Sequence, residues 1–222
     1  MGITQQIGAS SLIKPGVIDN TAARPASPYE GQVIFQKDTD QLLVWNGTAW
    51  IIPNSPAQNP MGLELVASGT VTSGSSYLEI LNCFSATYDN YRIVMSGFQS
   101  SGNQGMSYYL GTNAATGAYY GSLYYDQYTG AVVATARQNG ANYAYLGISE
   151  SAVPNGSYTF DVTNPFLSTY SNTHGTYNGR NFSGWHGSLV NNTTSYTGIR
   201  LFSDAGNTLV AGKVRVYGYR QV

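Results

Sequence analysis

Charged side chains are scarce in this sequence: they make up only 9% of its 222 residues, and the formal net charge is -1. A nucleic-acid-binding surface needs enough Lys and Arg to neutralise phosphates, which this composition does not supply. We therefore predict no nucleic-acid partner. The polar surface must come mostly from Ser, Thr, Asn and Gly, while an aromatic content of 13% is high enough to drive collapse into a core.

Cysteine is almost absent as well. The single Cys83 excludes an intramolecular disulfide framework and is expected to be a small buried hydrophobe. The first residues, MGITQQIGASSLIKPG, contain neither a basic n-region nor a long apolar run. We therefore expect no secretory signal and no membrane insertion, with synthesis in a cytoplasm.

Helical periodicity is the third thing missing, because no window of about a dozen residues combines helical spacing with a cap and a stop signal. Short apolar runs between turn signals recur instead and predict an all-β chain. The run KVRVYGYR should alternate buried Val214 and Val216 with wetter neighbours. The turn SDAGN is expected to join the last two strands as a hairpin.

Composition shifts divide the chain into four segments. Residues 1–29 are polar and proline-punctuated and predict an extended N-terminal arm. Residues 30–52 predict a small β-meander, and the proline-rich residues 53–62 predict a stiff linker. Residues 63–222 carry many short strands and predict a jelly-roll-like antiparallel β-sandwich head.

The meander has apolar residues on both faces. If Asn46-Gly47 forms a two-residue turn, Trp45 pairs with Thr48 and Leu43 pairs with Trp50. A ribbon of two or three strands is marginally stable alone, and neither of its faces can be left wet without exposing Trp or Leu. Something else must cover it.

The segment RPASPYEGQVIFQKDTDQLLVWNGTAW, residues 24–50, resembles a segment of tailed-bacteriophage virion proteins, especially tail fibres and related appendages. The shared pattern is Arg-Pro, a second proline, Gly-Gln before a strand, an Asp-Thr turn, and an aromatic-Asn-Gly hairpin ending in Trp. The runs FSATYDNYRIVMSG and GNTLVAGKVRVYGYR are similar to the first and last strands of the β-sandwich heads that follow such segments.

The resemblance implies a homotrimeric virion protein whose arm docks onto another virion protein of the tail or capsid. Three meanders around a threefold axis would bury each other. It implies a trimer interface at Val33, Phe35, Leu43, Trp45 and Trp50, and virion attachment through Leu12, Ile13, Val17 and Ile18. A capsid decoration protein, such as a head fibre or cement protein, is the first alternative, and a carbohydrate-binding module or glycan-cleaving enzyme is the second.

Motifs for catalysis are missing, so we expect no enzyme activity and no cofactor. His174 and His186 lack the spacing of a helical metal pair and are expected to be ordinary sheet or surface histidines. Asp38 and Asp40 form a plain turn rather than a calcium loop, so no metal site is predicted. A glycan-cleaving carboxylate pair remains a minor alternative, with acidic candidates at Asp126, Glu150 and Asp161.

Tyrosine-rich sequence between residues 106 and 128 offers the better functional candidate. Flat aromatic faces beside amides and carboxylates suit saccharides, which present an apolar CH face and a rim of hydroxyls. The candidate residues for binding a host surface polysaccharide are Tyr120, Tyr124, Tyr125, Arg180 and Trp185, the last two on an expected loop or edge. The competing interpretation is that tyrosine is simply common in strands and interfaces, with one member of each adjacent pair in the core.

Overall fold

The computed structural model describes residues 15–53, 62–128, 130 and 133–220. The chain is all-β, as predicted, with 56% of it in strands and no α-helix in these ranges. No helix of the described part is long and apolar enough to cross a membrane. The chain divides into two compact units, Met1–Met61 and Gly62–Val222. The expected attachment residues Leu12 and Ile13 and most of the expected linker, residues 54–61, lie outside the described ranges.

The N-terminal unit is a four-stranded sheet in the order β1-β2-β3-β4. Its strands are β1 Gly16–Ile18, β2 Val33–Gln36, β3 Gln41–Trp45 and β4 Trp50–Ile51, with a 3-10 turn at Thr21–Ala23. Val17 and Ile18, expected in the extended arm, lie in β1, which pairs with β2 in parallel. These two residues are thus part of the sheet.

The β3–β4 turn differs from the predicted one. Trp45 pairs directly with Trp50, so the loop contains four residues instead of two. The predicted pairings of Trp45 with Thr48 and of Leu43 with Trp50 are therefore wrong. The reason is the Asn46 side chain, whose Oδ1 accepts hydrogen bonds from the backbone N–H of Thr48 and Ala49 at 2.9 and 2.8 Å. Such an Asx turn competes with the tight hairpin that Asn-Gly also favours.

The two faces of this sheet are covered differently. Ile34 and Leu43 pair across β2 and β3 and are buried. Gln36, on the same face, is fully buried and binds residues of the β1–β2 connection: it accepts from Arg24 Nε at 2.8 Å and donates to Thr21 Oγ1 at 3.1 Å. The chain itself therefore crosses and closes this face.

The opposite face, called here the open face, is less well covered by the residues that the structure describes: two of its apolar side chains are exposed and four are half-buried. Register places six apolar side chains on it: Val17, Val33, Phe35, Leu42, Val44 and Ile51. Leu42 is 43% exposed and Val17 60% exposed. The five residues expected at the trimer interface therefore divide between faces, since Leu43, Trp45 and Trp50 lie on the covered side and Val33 and Phe35 on the open side.

The second unit is a β-sandwich. Its strands are β5 Leu63–Thr70, β6 Tyr77–Ile80, β7 Asn90–Ser100, β8 Gln104–Leu110, β9 Tyr119–Gln127, β10 Val133–Ala141, β11 Ala144–Ser149, β12 Gly156–Thr163, β13 Ser171–Asn178, β14 Phe182–Val190, β15 Ile199–Ser203 and β16 Leu209–Tyr219. The first sheet has the order β10-β9-β14-β13-β12-β7-β16-β5 and the second the order β11-β8-β15-β6. All of their pairings are antiparallel.

Jelly-roll topology follows from these orders. Eight strands form two matching four-stranded layers, β5-β16-β7-β12 and β6-β15-β8-β11, in which the first and last strands of the unit are neighbours. The remaining strands are inserted: β9 and β10 follow β8, and β13 and β14 follow β12. They extend only the first layer and give it a wide outer face beyond β12.

The core lies between the two sheets and follows the predicted alternation. Val214 and Val216 are buried, Tyr119 is buried while Tyr120 is 37% exposed, and Cys83 is buried as expected. The expected final hairpin is wrong, because β15 and β16 belong to different sheets and the SDAGN turn carries the chain from one to the other. The turn residues are the same for a hairpin and for such a crossover.

Candidate functional site

An aromatic platform lies on the outer face of the eight-stranded sheet. Trp185 of β14 stands directly opposite Tyr124 of β9. Their rings stack with centroids 5.7 Å apart and planes 14° from parallel. Trp185 is 52% exposed although its strand lies inside the sheet, because the second layer covers only the inner face. The pair presents a flat apolar surface to solvent.

Polar residues surround the platform. In the same row across the sheet, Thr135 of β10 pairs with Tyr124, and Thr176 of β13 pairs with Trp185. In the next row, Asp126 pairs with Ser183. Hydroxyl and carboxylate groups thus border the stacked rings on three sides. This is the arrangement that a saccharide ring, apolar on one face and hydroxylated at its rim, requires.

The structure sorts the predicted glycan-binding residues into different places. Tyr120 shares the outer face of β9 but lies four residues from Tyr124, roughly 13 Å along the strand. Tyr125 points the other way and packs edge-on against Phe182, with ring centroids 6.2 Å apart. Arg180 lies in the exposed turn between β13 and β14. Only Tyr124 and Trp185 form the platform.

Trp185 was expected on a loop or edge, and that expectation is wrong. The segment NGRNFSGWHG spans the β13–β14 turn and enters β14, which pairs with β13 on one side and β9 on the other. Gly184, next to Trp185, allows close packing at this point of the strand: a Cβ on Gly184 would lie 2.8 Å from the Tyr177 ring and closer still to the Tyr124 backbone.

Further along the same outer face, Asp161 joins three strands. Both of its oxygens accept from Arg92, from Nε at 2.8 Å and from Nη2 at 2.7 Å, and Tyr219 donates its hydroxyl at 2.7 Å. Burial raises the pKa of Asp161, but the hydrogen bonds from Arg92 and Tyr219 outweigh it, so the pKa lies below its usual value. Asp161 is therefore a charged, satisfied structural ion-pair partner.

The other carboxylates do not pair with it. Asp126 and Asp161 are three strands and four residues apart, roughly 20 Å, whereas paired glycosidase carboxyls lie about 5–9.5 Å apart. Glu150 is buried and accepts from the backbone N–H and side-chain Nδ2 of Asn181 at 3.0 and 2.8 Å. Glu150 thereby fixes the β13–β14 turn.

The two histidines lie on opposite faces of adjacent strands. His174 is exposed, with Nε2 3.8 Å from Asp161, while His186 is buried against the Phe160 ring. Burial, and to a lesser extent His174, lowers the pKa of His186 to about 4, so its imidazole is neutral. Among the residues that the structure describes, no three His, Cys, Asp or Glu side chains are placed to hold a metal ion.

A cleft that the sequence did not indicate lies on the outer face of the smaller sheet of the sandwich, β11-β8-β15-β6. It has a volume of about 370 Å³, and its walls include Tyr77, Tyr109, Tyr143 and Phe202. These residues come from β6, β8, the β10–β11 turn and β15. Only Tyr109 belongs to the tyrosine-rich stretch, so no local pattern connects them.

No protein-family model, curated protein or solved structure matches the chain.

Proposed function

We propose that this protein is a homotrimeric structural component of a tailed-bacteriophage virion, a tail fibre or spike that presents its jelly-roll unit outward. Two observations support the proposal: the resemblance of residues 24–50 to fibre segments, and the open apolar face of the N-terminal sheet. Enzyme activity forms no part of it.

The open face carries the argument. Its six apolar side chains lie on three neighbouring strands and a fourth short one, opposite a face that the chain already covers. A soluble monomer rarely exposes so much contiguous apolar surface on so small a sheet. Sister chains around a threefold axis would bury the same patch three times. The interface then consists of Phe35, Leu42 and their neighbours instead of Leu43.

Size-exclusion chromatography with light scattering tests the oligomer. We expect a mass three times the 23.8 kDa of one chain. Phe35→Ser with Leu42→Ser should convert the trimer into a folded monomer with an unchanged far-UV circular dichroism spectrum, since both side chains lie on the open face. Tyr170→Ser, at an exposed site in the sandwich, is the control and should remain trimeric. A stable wild-type monomer would remove the proposal.

A decoration protein of the capsid would satisfy the same oligomer test. Antibody labelling of intact particles separates the two locations: label at the tail supports the fibre, and label distributed over the head supports the decoration protein.

The Tyr124–Trp185 platform favours a second role, binding of a host surface polysaccharide. Removing one stacked ring should weaken binding by about three- to tenfold, the equivalent of an aromatic contact of about 0.5–1.5 kcal/mol. Trp185→Ala should therefore reduce retention of the trimer on immobilised host polysaccharide, while Tyr170→Ala should not. Equal retention of both variants would contradict this role and leave the fibre assignment intact.

A further inference from the structure

The cleft on the smaller sheet of the sandwich contains an arginine held against aromatic rings. The guanidinium of Arg200 lies 4.0 Å from the ring centroid of Tyr77 and 5.3 Å from that of Tyr109. Arg200 donates from Nε to Glu79 at 2.7 Å and also binds the hydroxyl of Tyr109. The cleft thus already holds one organic cation by cation–π contact and an ion pair.

The lining of the cleft also includes a carboxylate that has no such partner. Asp204 lines the cleft and forms no ion pair with any residue that the structure describes. Its Oδ1 atom is buried with no hydrogen bond of ordinary geometry. Because Arg200 and Glu79 neutralise each other, the charge of Asp204 is left uncompensated. A poorly solvated carboxylate is stabilised by any positive charge brought next to it.

The backbone fixes Asp204 in place. Its N–H donates to Gly105 O at 2.8 Å, and its carbonyl accepts from Asn207 Nδ2 at 3.0 Å. Ala205 and Gly206, the next two residues, have φ values of 56° and 74°. A non-glycine residue in the left-handed region costs free energy, so the surrounding contacts must hold its backbone in that conformation. The backbone from which the carboxylate projects is therefore fixed before any ligand arrives.

Two of the aromatic rings that line the cleft are in contact with each other. Tyr143 and Phe202 meet edge to face with centroids 5.4 Å apart. Burial raises the pKa of Tyr143 to about 12, and the charge of Asp204 adds to the effect. Burial also raises the pKa of Asp204 more than the nearby Ser107 hydroxyl lowers it. Both shifts are those expected of a negative site without a counter-ion.

We propose that this cleft binds an organic ammonium group, with Asp204 as its counter-ion and Tyr143 and Phe202 as its aromatic wall. The volume of about 370 Å³ is near the lower end of the range for small-molecule sites, about 300–1,000 Å³, and fits a head group or a single polymer side chain. A neutral saccharide would use the aromatic wall but would not need the unpaired carboxylate. The site is separate from the trimer and platform proposals and does not depend on either.

Calorimetric titration of the full-length protein with choline tests the site, with 3,3-dimethylbutanol as a neutral probe of the same shape. We expect saturable choline binding and at least tenfold weaker binding of the neutral probe. This comparison uses the wild-type protein and needs no variant to fold. The affinity for choline should also fall on acidification, because protonation of Asp204 removes the counter-ion.

Two variants locate the binding. Asp204→Asn should weaken choline binding at least tenfold, and Asp89→Asn, a matched substitution directly before β7 in the same unit, should leave it unchanged. Equal affinity for choline and its neutral analogue overturns the proposal. So does choline binding that both variants retain, or binding of methyl glucoside in the cleft with no preference for choline.

Discussion

The two units cover their apolar residues in different ways. The jelly roll places two sheets face to face, so that its strands bury alternate side chains inside one chain. The N-terminal sheet has a single layer: a connecting segment anchored on Gln36 closes one face, and the other keeps Val17 and Leu42 exposed. The sandwich can thus complete its core alone, whereas the N-terminal sheet calls for another surface.

The largest expected effect on stability comes from replacing a buried phenylalanine of the sandwich, which can be compared with the same replacement on the open face of the N-terminal sheet. Phe160 is buried beside the rings of Tyr108 and His186, with centroids 5.6 and 5.7 Å away. Phe160→Ala should lower the free energy of unfolding of the sandwich by about 3–5 kcal/mol because it opens a cavity between the sheets. Urea unfolding followed by circular dichroism measures the loss.

Phe35→Ala is the matched substitution on the open face. It should leave the sandwich transition unchanged and shift the association equilibrium, measured as the protein concentration at which the proposed trimer dissociates. If Phe35→Ala instead destabilised the sandwich as much as Phe160→Ala, the difference between the two units would disappear.

Local alternation made the sandwich predictable, while long-range register did not. The pattern of KVRVYGYR shows which side chains are buried because side chains in any strand alternate between two faces. The sheet in which a strand lies is decided by distant partners, so SDAGN gave no sign that β15 and β16 separate. Jelly-roll topology could be expected only as a class.

In the meander, the turn was predicted wrongly but the residues that share a face were predicted correctly. Trp45 pairs with Trp50 instead of Thr48, a shift of two residues. Because the side-chain period is also two, Leu43, Trp45 and Trp50 still share one face. What the sequence could not show was that residues of the supposed arm would fold back over that face. The interface prediction therefore included residues from both sides.

Site residues were predictable only in part for the same reason. The residue types of Tyr124 and Trp185 suggested binding, but their stacking depends on the pairing of β9 with β14, which joins two residues 61 positions apart in the sequence. Tyr125, the residue after Tyr124, faces the core because successive side chains of a strand point to opposite faces of the sheet. The cleft around Asp204 combines four elements, none of which carries a recognisable motif.

The two units should also differ in how their stability depends on pH, because both histidines belong to the sandwich. His186 has a pKa of about 4 in the folded protein and about 6.5 when unfolded. Between these values the unfolded chain binds a proton that the folded chain does not, so stability is complete above pH 6.5 and falls as the pH drops toward 4. The loss amounts to roughly 3 kcal/mol.

His186→Leu should remove this slope, and the difference in unfolding free energy between wild type and variant, followed from pH 7 to pH 4, measures it. Carboxyl groups such as Asp204 titrate in both proteins and cancel in the difference. His174→Leu, at an exposed site, should keep most of the slope. A wild-type sandwich with the same pH dependence as His186→Leu would show that His186 is hydrated or hydrogen-bonded in solution, and that the core between the sheets is less closed than the jelly roll implies.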